Sequence, residues 1–234
     1  MLNTALSYLN FSRFHNIDII EPLLKGNADL LYANRDGVLI FVRNSNVHIM
    51  AASDEDACSK MLSLVNEAFL FVVHQSFCIK PVADKYKFGS VHECYQAVYD
   101  ITSPLPLSDT CEIRTLDASY AEIILNNYDL IGSPEYIYER LESKAMLGAF
   151  VGDNFAGFIG IHAEGDIGML HVFPEFRRMG IAKNLESSLI NRMLISGEIP
   201  YCQLFIDNIA SLTLQQKLGL TVADESLFWL SNIN

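Results

Sequence analysis

Positive charge is scarce in this chain: 16 Lys and Arg stand against 28 Asp and Glu in 234 residues, a formal net charge of −12. A surface of that sign repels a phosphate backbone, so nucleic acid is excluded as a partner. Cysteine is scarce too. Cys58, Cys78, Cys94, Cys111 and Cys202 are odd in number, lack paired metal-type spacing and stand among apolar neighbours. That pattern predicts buried, reduced thiols rather than a disulfide framework, and no metal site. No apolar run approaches the roughly 18 residues that cross a bilayer, and the N-terminus has neither a basic start nor a long apolar core. The expectation is a soluble, cytoplasmic protein with no membrane partner. What the chain does have is apolar material. Half of its residues are hydrophobic, too many for a disordered chain and enough for one large core or two small ones.

The most informative stretch is Ile167-Gly168-Met169-Leu170-His171-Val172-Phe173-Pro174-Glu175-Phe176-Arg177-Arg178-Met179-Gly180-Ile181-Ala182-Lys183. Its first seven residues read as a strand covered on both faces, and Pro174 removes a backbone donor and ends the ladder. Arg177 to Ala182 then make a turn with a glycine where the backbone must approach something closely. Ile181, Leu185, Leu189 and Met193 follow at four-residue spacing, the apolar stripe of a helix that closes at Gly197. A strand that feeds an arginine-bearing turn and a helix N-terminus offers several unpaired N–H groups and the positive end of a dipole, a cradle for phosphate. Arg177, Arg178 and Lys183 crowd this turn against one carboxylate, Glu175. Such a local positive spot on an acidic protein suits a small phosphorylated ligand.

The segment resembles the acyl-CoA signature of the GNAT acyltransferases, Gln/Arg-x-x-Gly-x-Gly/Ala, which Arg177, Gly180 and Ala182 satisfy. A second landmark follows in order. Tyr201 to Ile206 reads as a strand, Asp207-Asn208-Ile209-Ala210 resembles the family's Asn-x-x-Ala/Ser, and Lys217-Leu218-Gly219-Leu220 its Lys-Leu-Gly-Phe. The resemblance runs from Cys111 to Leu230. Within it, the run from Glu164 to Val172 and Leu214-Gln215-Gln216-Lys217-Leu218-Gly219-Leu220 look most like the glycine N-acyltransferase-like branch. The fold it implies is α+β and sandwich-like: a mixed, mostly antiparallel sheet flanked by helices.

The N-terminal half opens with a helical lead-in to Leu24, followed by strands at Asp29 to Asn34, Val38 to Arg43 and Val47 to Ala52, with Arg35-Asp36-Gly37 as a hairpin turn. A helix is expected from Ser53, capped by Ser53 and Asp54, with Cys58, Met61, Leu62 and Val65 on its apolar side. Strands follow at Phe69 to Val73 and Val91 to Tyr99, with Lys80 to Lys87 unassigned between them. This order echoes the C-terminal half. Residues 1–102 therefore form either a degenerate GNAT-like copy or an unrelated α+β domain. Where a phosphate cradle should lie, Asp54, Glu55 and Asp56 would repel pyrophosphate. The two prolines of residues 103–109 predict a stiff, extended linker to a GNAT domain at 110–234.

In that second domain Cys111 to Leu116 reads as a strand. Ser119 to Asn127 and Pro134 to Ser143 read as helices, the latter capped by Ser133, and Ala145 to Val151 and Phe155 to His162 as a hairpin. In family members the first two helices and their loop cover the acceptor, which makes Tyr128, Tyr136 and Tyr138 candidates to line it, with core or surface packing as the alternative.

The resemblance implies a transferase, an N-acetyltransferase, in which a small primary amine or amino acid attacks the thioester of acetyl-CoA directly, without metal or covalent enzyme intermediate. Leu170, His171 and Val172 would pair by backbone with the pantetheine arm. Arg177, Arg178, Met179, Gly180, Ile181, Ala182 and Lys183 would hold the pyrophosphate, and Asn208, a helix N-cap, is expected near the pantetheine. An incoming ammonium must lose a proton, and three groups compete as base. Asp166 lies eleven positions before Arg177, where several family members carry a glutamate; Glu164 and His171 are its rivals. One departure stands out. Seven residues after Asn208, where many relatives have a tyrosine that protonates the thiolate, this chain has Gln215, which donates a hydrogen bond but releases no proton. The alternative function is a catalytically silent CoA-binding or interaction module. Oligomeric state is open, a homodimer included.

Overall fold

A computed structural model describes residues 1–128 and 133–232. The chain forms two compact units, one of Met1–Val98, Gln203–Thr213 and Thr221–Asn234, the other of Tyr99–Cys202 and Leu214–Leu220. In chain order the elements are α1 (Leu2–Leu9), α2 (Ile17–Leu24), β1 (Ala28–Asn34), β2 (Gly37–Val42), β3 (Val47–Ala52), α3 (Glu55–Ser63), β4 (Leu70–Val73), α4 (Ile79–Tyr86) and β5 (Ser90–Val98). They continue with β6 (Glu112–Thr115), α5 (Ala121–Leu125), α6 (Pro134–Glu142), β7 (Met146–Val151), β8 (Asn154–Ile161) and β9 (Ile167–Val172). The last are α7 (Ile181–Ile195), β10 (Tyr201–Phe205), α8 (Ile209–Leu218) and β11 (Thr221–Ser231). The run from β1 to β5, three strands, helix, strand, helix, strand, recurs from β7 to β11.

In the first unit the strands lie in the order β1-β2-β3-β4-β11-β5. The β1–β2 hairpin closes on Arg35-Asp36 with Asn34 opposite Gly37. The carboxylate of Asp54 accepts from the Ala57 N–H at 2.8 Å and caps α3, and the segment left unassigned by sequence becomes α4. β3 and β4 are parallel and zipped over four pairs, from Val47↔Leu70 to Met50↔Val73. β11 belongs here because it pairs antiparallel with both β4 and β5. Leu39, Met50, Met61, Phe71, Val82 and Leu230 form the core. The buried carboxyl of Asp18 lies 3.1 Å from His74 Nε2 and accepts from Gln96 and Gln203 Nε2 at 3.2 Å, so its oxygens have hydrogen-bond partners.

In the second unit β6, β7, β8 and β9 form an antiparallel run in sequence order. Met146 and Phe150 of β7, Phe158 of β8 and Met169 of β9 join Ile124, Ile137 and Leu141 of α5 and α6 in one core. Strand alternation turns Leu147, Ala149 and Ile159 to the opposite face, where α7 buries Ile181, Leu185, Leu189 and Met193. Ser133 Oγ accepts from Tyr136 N at 3.4 Å and opens α6 with Pro134 behind it. Part of the α5–α6 loop lies outside the described residues.

The proline segment is extended but not free. The amide of Asn191 exchanges two hydrogen bonds with the Leu105 backbone (2.7 and 2.9 Å), and that of Asn184 two with Ser108 (2.9 and 3.1 Å). Two buried or half-buried asparagines of α7 thus read the segment as a neighbouring strand would, a bond pattern no proline spacing announces. The cysteines are free thiols, and Cys111, expected buried, is only half-buried. Among the described residues no helix is long and apolar enough to cross a membrane.

Candidate active site

The stretch singled out in the sequence folds as a strand, a tight turn and a helix. β9 departs from regular pairing: Phe158 faces His171 and Gly160 faces Gly168, so Ile159 stands opposite both Met169 and Leu170. Met169 takes a left-handed backbone, φ 53°, the mark of a bulge that takes one residue out of the ladder. On its other edge β9 pairs with β10 only at its first residue, Ile167 opposite Cys202. Among the described residues of the unit, no strand pairs with that edge from Gly168 to Val172. This corrects the expectation of a fully covered strand. Gly168, Leu170, His171 and Val172 are half-buried because one ladder stops after a single pair.

After Val172 the chain makes a turn at Pro174–Phe176, and Arg177 Nε reaches back to the Val172 carbonyl at 3.0 Å. Arg178 and Gly180 both adopt left-handed backbone, φ 67° and 84°. Gly180 is the N-cap of α7 and makes no side-chain cap. The first N–H groups of a helix have no intrahelical acceptor. Here they are also uncovered: a Cβ placed on Gly180 would meet nothing within 4 Å. The residues from Arg177 to Gly180 and Lys183 are exposed, whereas Ile181 is buried beneath them and Ala182 is half-buried. The result is an open turn that carries Arg177, Arg178 and Lys183 at the start of a helix.

The three candidate bases part company. His171 stacks on Phe158 at 5.4 Å and lies edge-on to Phe173 at 5.3 Å, a ring set into the aromatic core. Glu164 and Asp166 sit in the tight turn between β8 and β9, which is closed by His162 N to Asp166 O at 2.8 Å and Gly165 N to His162 O at 3.0 Å. Asp166 is buried. Glu164 keeps part of its surface in solvent, yet burial and then the charge of Asp166 hold its carboxyl above the ordinary range.

Sequence reasoning did not single out His162, which the structure places beside these acids. The Ala163 N–H donates to the Tyr136 hydroxyl at 3.1 Å, and that hydroxyl lies 2.9 Å from His162 Nδ1. The phenol oxygen thus bridges the Ala163 amide and the imidazole. Burial pushes the His162 ring down and the Tyr136 phenol up, so both are neutral. The guanidinium of Arg140 sits 5.7 Å over the Tyr136 ring and donates to Glu139 at 2.7 Å. Tyr128, whose phenol burial pushes up to about 12, accepts from the N–H of Met169 at the bulge. Of the three tyrosines considered, Tyr128 and Tyr136 therefore face the acid–base cluster, and Tyr138 is exposed.

Gln215 is buried and turned to α7, where it hydrogen-bonds the carboxyl of Glu186. Asn208 caps α8 by accepting from Ser211 N at 3.0 Å. Among the described residues no group of three or more His, Cys, Asp or Glu side chains is arranged to hold a metal ion.

A family model described as FR47-like protein matches residues 147–229. No curated protein matches the sequence. Solved structures do match in shape. A Drosophila protein determined by structural genomics superimposes with a TM-score of 0.72 at 15% identity, covering 100% of this chain and 95% of that one. A GCN5-related N-acetyltransferase-like protein from Streptococcus suis gives 0.57 at 17% identity over 97% of this chain and 99% of the other. A putative acetyltransferase of the GNAT family from Novosphingobium aromaticivorans gives 0.56 at 18% identity, covering 82% and 86%. The fold, mixed α+β with sheet flanked by helices, is that of the GNAT acetyltransferases.

Proposed function

We propose that this GNAT-folded chain is an acyl-CoA-dependent N-acyltransferase, with acetyl-CoA as co-substrate and a small primary amine or amino acid as acceptor. The FR47-like match and the shared fold support the superfamily. The finer placement, in the glycine N-acyltransferase-like branch, rests on the two sequence runs from Glu164 and Leu214. The five free thiols suit a reducing compartment such as the cytoplasm.

The observation that carries the proposal is the uncovered turn at Gly180, which follows β9 at the start of α7. A diphosphate fits there: the amides from Arg178 to Lys183 supply donors, Arg178 and Lys183 supply charge, and Arg177 braces the turn through Val172. Leu170, His171 and Val172 offer main-chain groups to an extended pantetheine arm, as an added strand would use them. CoA supplies the activated acyl group; the protein's part is to orient it, deprotonate the amine and shield the reaction from water.

For the proton transfer we assign Glu164 as base. Its raised carboxyl lies nearer to the affinity of an amine than an ordinary glutamate's, and Asp166 contributes to the shift. Tyr136 and His162, both neutral, position the turn that carries Glu164 and hold no charge that would oppose a cationic acceptor.

Calorimetric titration with acetyl-CoA, followed by thiol release over a panel of amines, tests the proposal. Saturable binding with amine-dependent release is expected. Binding without release under every amine would favour the silent CoA-binding module, whose supporting observation is that Tyr128 occupies the Met169 N–H that a thioester oxygen would otherwise use. No binding would remove both.

A further inference from the structure

The sheet of the first unit carries two neighbouring cross-strand rows on the face that α3 packs against. Leu39, Met50 and Val73 stand opposite one another in β2, β3 and β4 and are sealed in the core with Met61 of α3. Two residues along each strand, and therefore on the same face, come Phe41, His48 and Phe71. α3 ends at Ser63, and the chain that returns through Glu67 and Phe69 to β4 leaves this second row partly open. The opening is a cavity of about 710 Å³, with Leu31, Phe41 and His48 on the sheet side and Glu67 and Phe69 on the side of the returning segment. That size falls within the range of small-molecule sites, roughly 300–1,000 Å³.

His48 is the odd member of the row. Its ring lies 4.8 Å from that of Phe41 and is stacked 5.5 Å from that of Phe71, and only 9% of the residue is exposed. Burial lowers its pKa to about 4, so the imidazole is neutral at pH 7, with one N–H and one bare nitrogen. Nδ1 is sealed without a partner, and among the described residues nothing hydrogen-bonds the ring. An unsatisfied polar group in such a place carries a penalty that an aliphatic side chain would not. The ring lines the cavity, and from there a ligand reaches its other nitrogen, Nε2.

The rest of the lining selects the charge of that ligand. Phe69 leaves 66% of its surface exposed and Leu31 leaves 36%, an apolar wall beside the rings. Glu67 is the one charged side chain of the lining; it is exposed and has no ion-pair partner among the described residues. With no lysine or arginine around the cavity, an anion finds no counter-charge there. A cation finds a carboxylate and the faces of aromatic rings.

We propose that this cavity is a second ligand site and that it takes an apolar organic ammonium, whose hydrocarbon body lies on Phe41, Phe69 and Leu31 while its charged nitrogen stands between Glu67 and His48. The site lies wholly within the first unit and does not rest on the acyl-transfer reading.

Calorimetric titration of the full chain with cyclohexylammonium, in the absence of acetyl-CoA, tests it. Saturable binding at one site is expected, with cyclohexanol weaker and cyclohexanecarboxylate not bound. Phe69→Ser should weaken cyclohexylammonium about tenfold, and Glu67→Gln about threefold without affecting cyclohexanol. Both positions are exposed, so both variants should melt as the wild type does. His48→Leu removes the unsatisfied ring and should melt no lower than the wild type while binding cyclohexylammonium about tenfold more weakly. Absence of saturable binding, or an affinity that Phe69→Ser and Glu67→Gln both leave unchanged, would overturn the proposal. A dimer that Phe69→Ser dissociates would overturn it too, since a second copy of the chain would then cover this face. None of these outcomes bears on acetyl-CoA binding at the Gly180 turn, which is measured separately.

Discussion

The imidazole of His162 fills the space over Gly168: a Cβ at that glycine would stand 2.2 Å from Nε2. Glycine on β9 is therefore what allows the ring to lie there while its Nδ1 sits 2.9 Å from the Tyr136 hydroxyl. Gly168→Ala should push the ring aside, lower stability by about 1–3 kcal/mol and reduce amine-dependent turnover. Tyr136→Phe acts on the same imidazole, so the double variant should lose less than the two singles combined. Urea unfolding of the four proteins measures this, and strict additivity would separate Gly168 from the Tyr136–His162 pair.

Gly180→Trp should abolish acetyl-CoA binding, because an indole at the N-cap of α7 occupies the open space beside the first helical amides. The backbone there is left-handed, φ 84°, so any side chain adds strain of about 1–2 kcal/mol. Gly180→Ala carries that strain without the bulk and serves as the control. It should melt like the tryptophan variant and still bind. Equal affinity in all three proteins would move the diphosphate elsewhere.

Asp166→Asn should shift the acid limb of the rate profile to lower pH. The negative charge of Asp166 helps to raise the Glu164 carboxyl, and its removal lets Glu164 ionise in more acidic solution. The kcat/KM profile between pH 4 and 8 reads the direction. A limb that moves upward, or not at all, would take the base role from Glu164.

Glu186 makes stability depend on pH in a definite sense. Burial raises its pKa in the folded chain to about 7, above the ordinary 4.5. Between those values the native chain holds a proton that the unfolded chain has lost. Stability is therefore full below the lower value and falls as pH rises through the window, by about 3 kcal/mol for this group alone. Glu186→Gln has no proton to hold. Denaturant titrations at pH 5 and pH 7, both inside the window, should show a drop in the wild type that is smaller by about 2 kcal/mol in the variant.

Much of the local structure around the candidate site could be read along the chain because its signals are local. Pro174 ending a strand, Gly180 at a helix start, Ile181, Leu185, Leu189 and Met193 at four-residue spacing, and Ser133 ahead of Pro134 each act on neighbours within one or two turns. His162 was passed over because it reads as the end of a hairpin strand. The hint, in retrospect, was Gly168 in the facing strand, which signals space for a ring only once the register is known. Glu186 and Ser187 look like the solvated side of a helix, and both are buried.

The sequence alone determined most of the elements and the strand, turn and helix around Gly180 that resemble the family signature, since backbone donors, glycine conformation and apolar periodicity are properties of contiguous residues. Only the tertiary structure decided that β9 parts from β10 after one pair whereas β3 and β4 zip over four. It also decided that His171 stacks into the aromatic core, that Tyr136 finds His162 across 26 positions, and that Gln215 turns to Glu186. Those outcomes depend on register and burial, which emerge when distant segments compete for the same space, and no local pattern carries that competition.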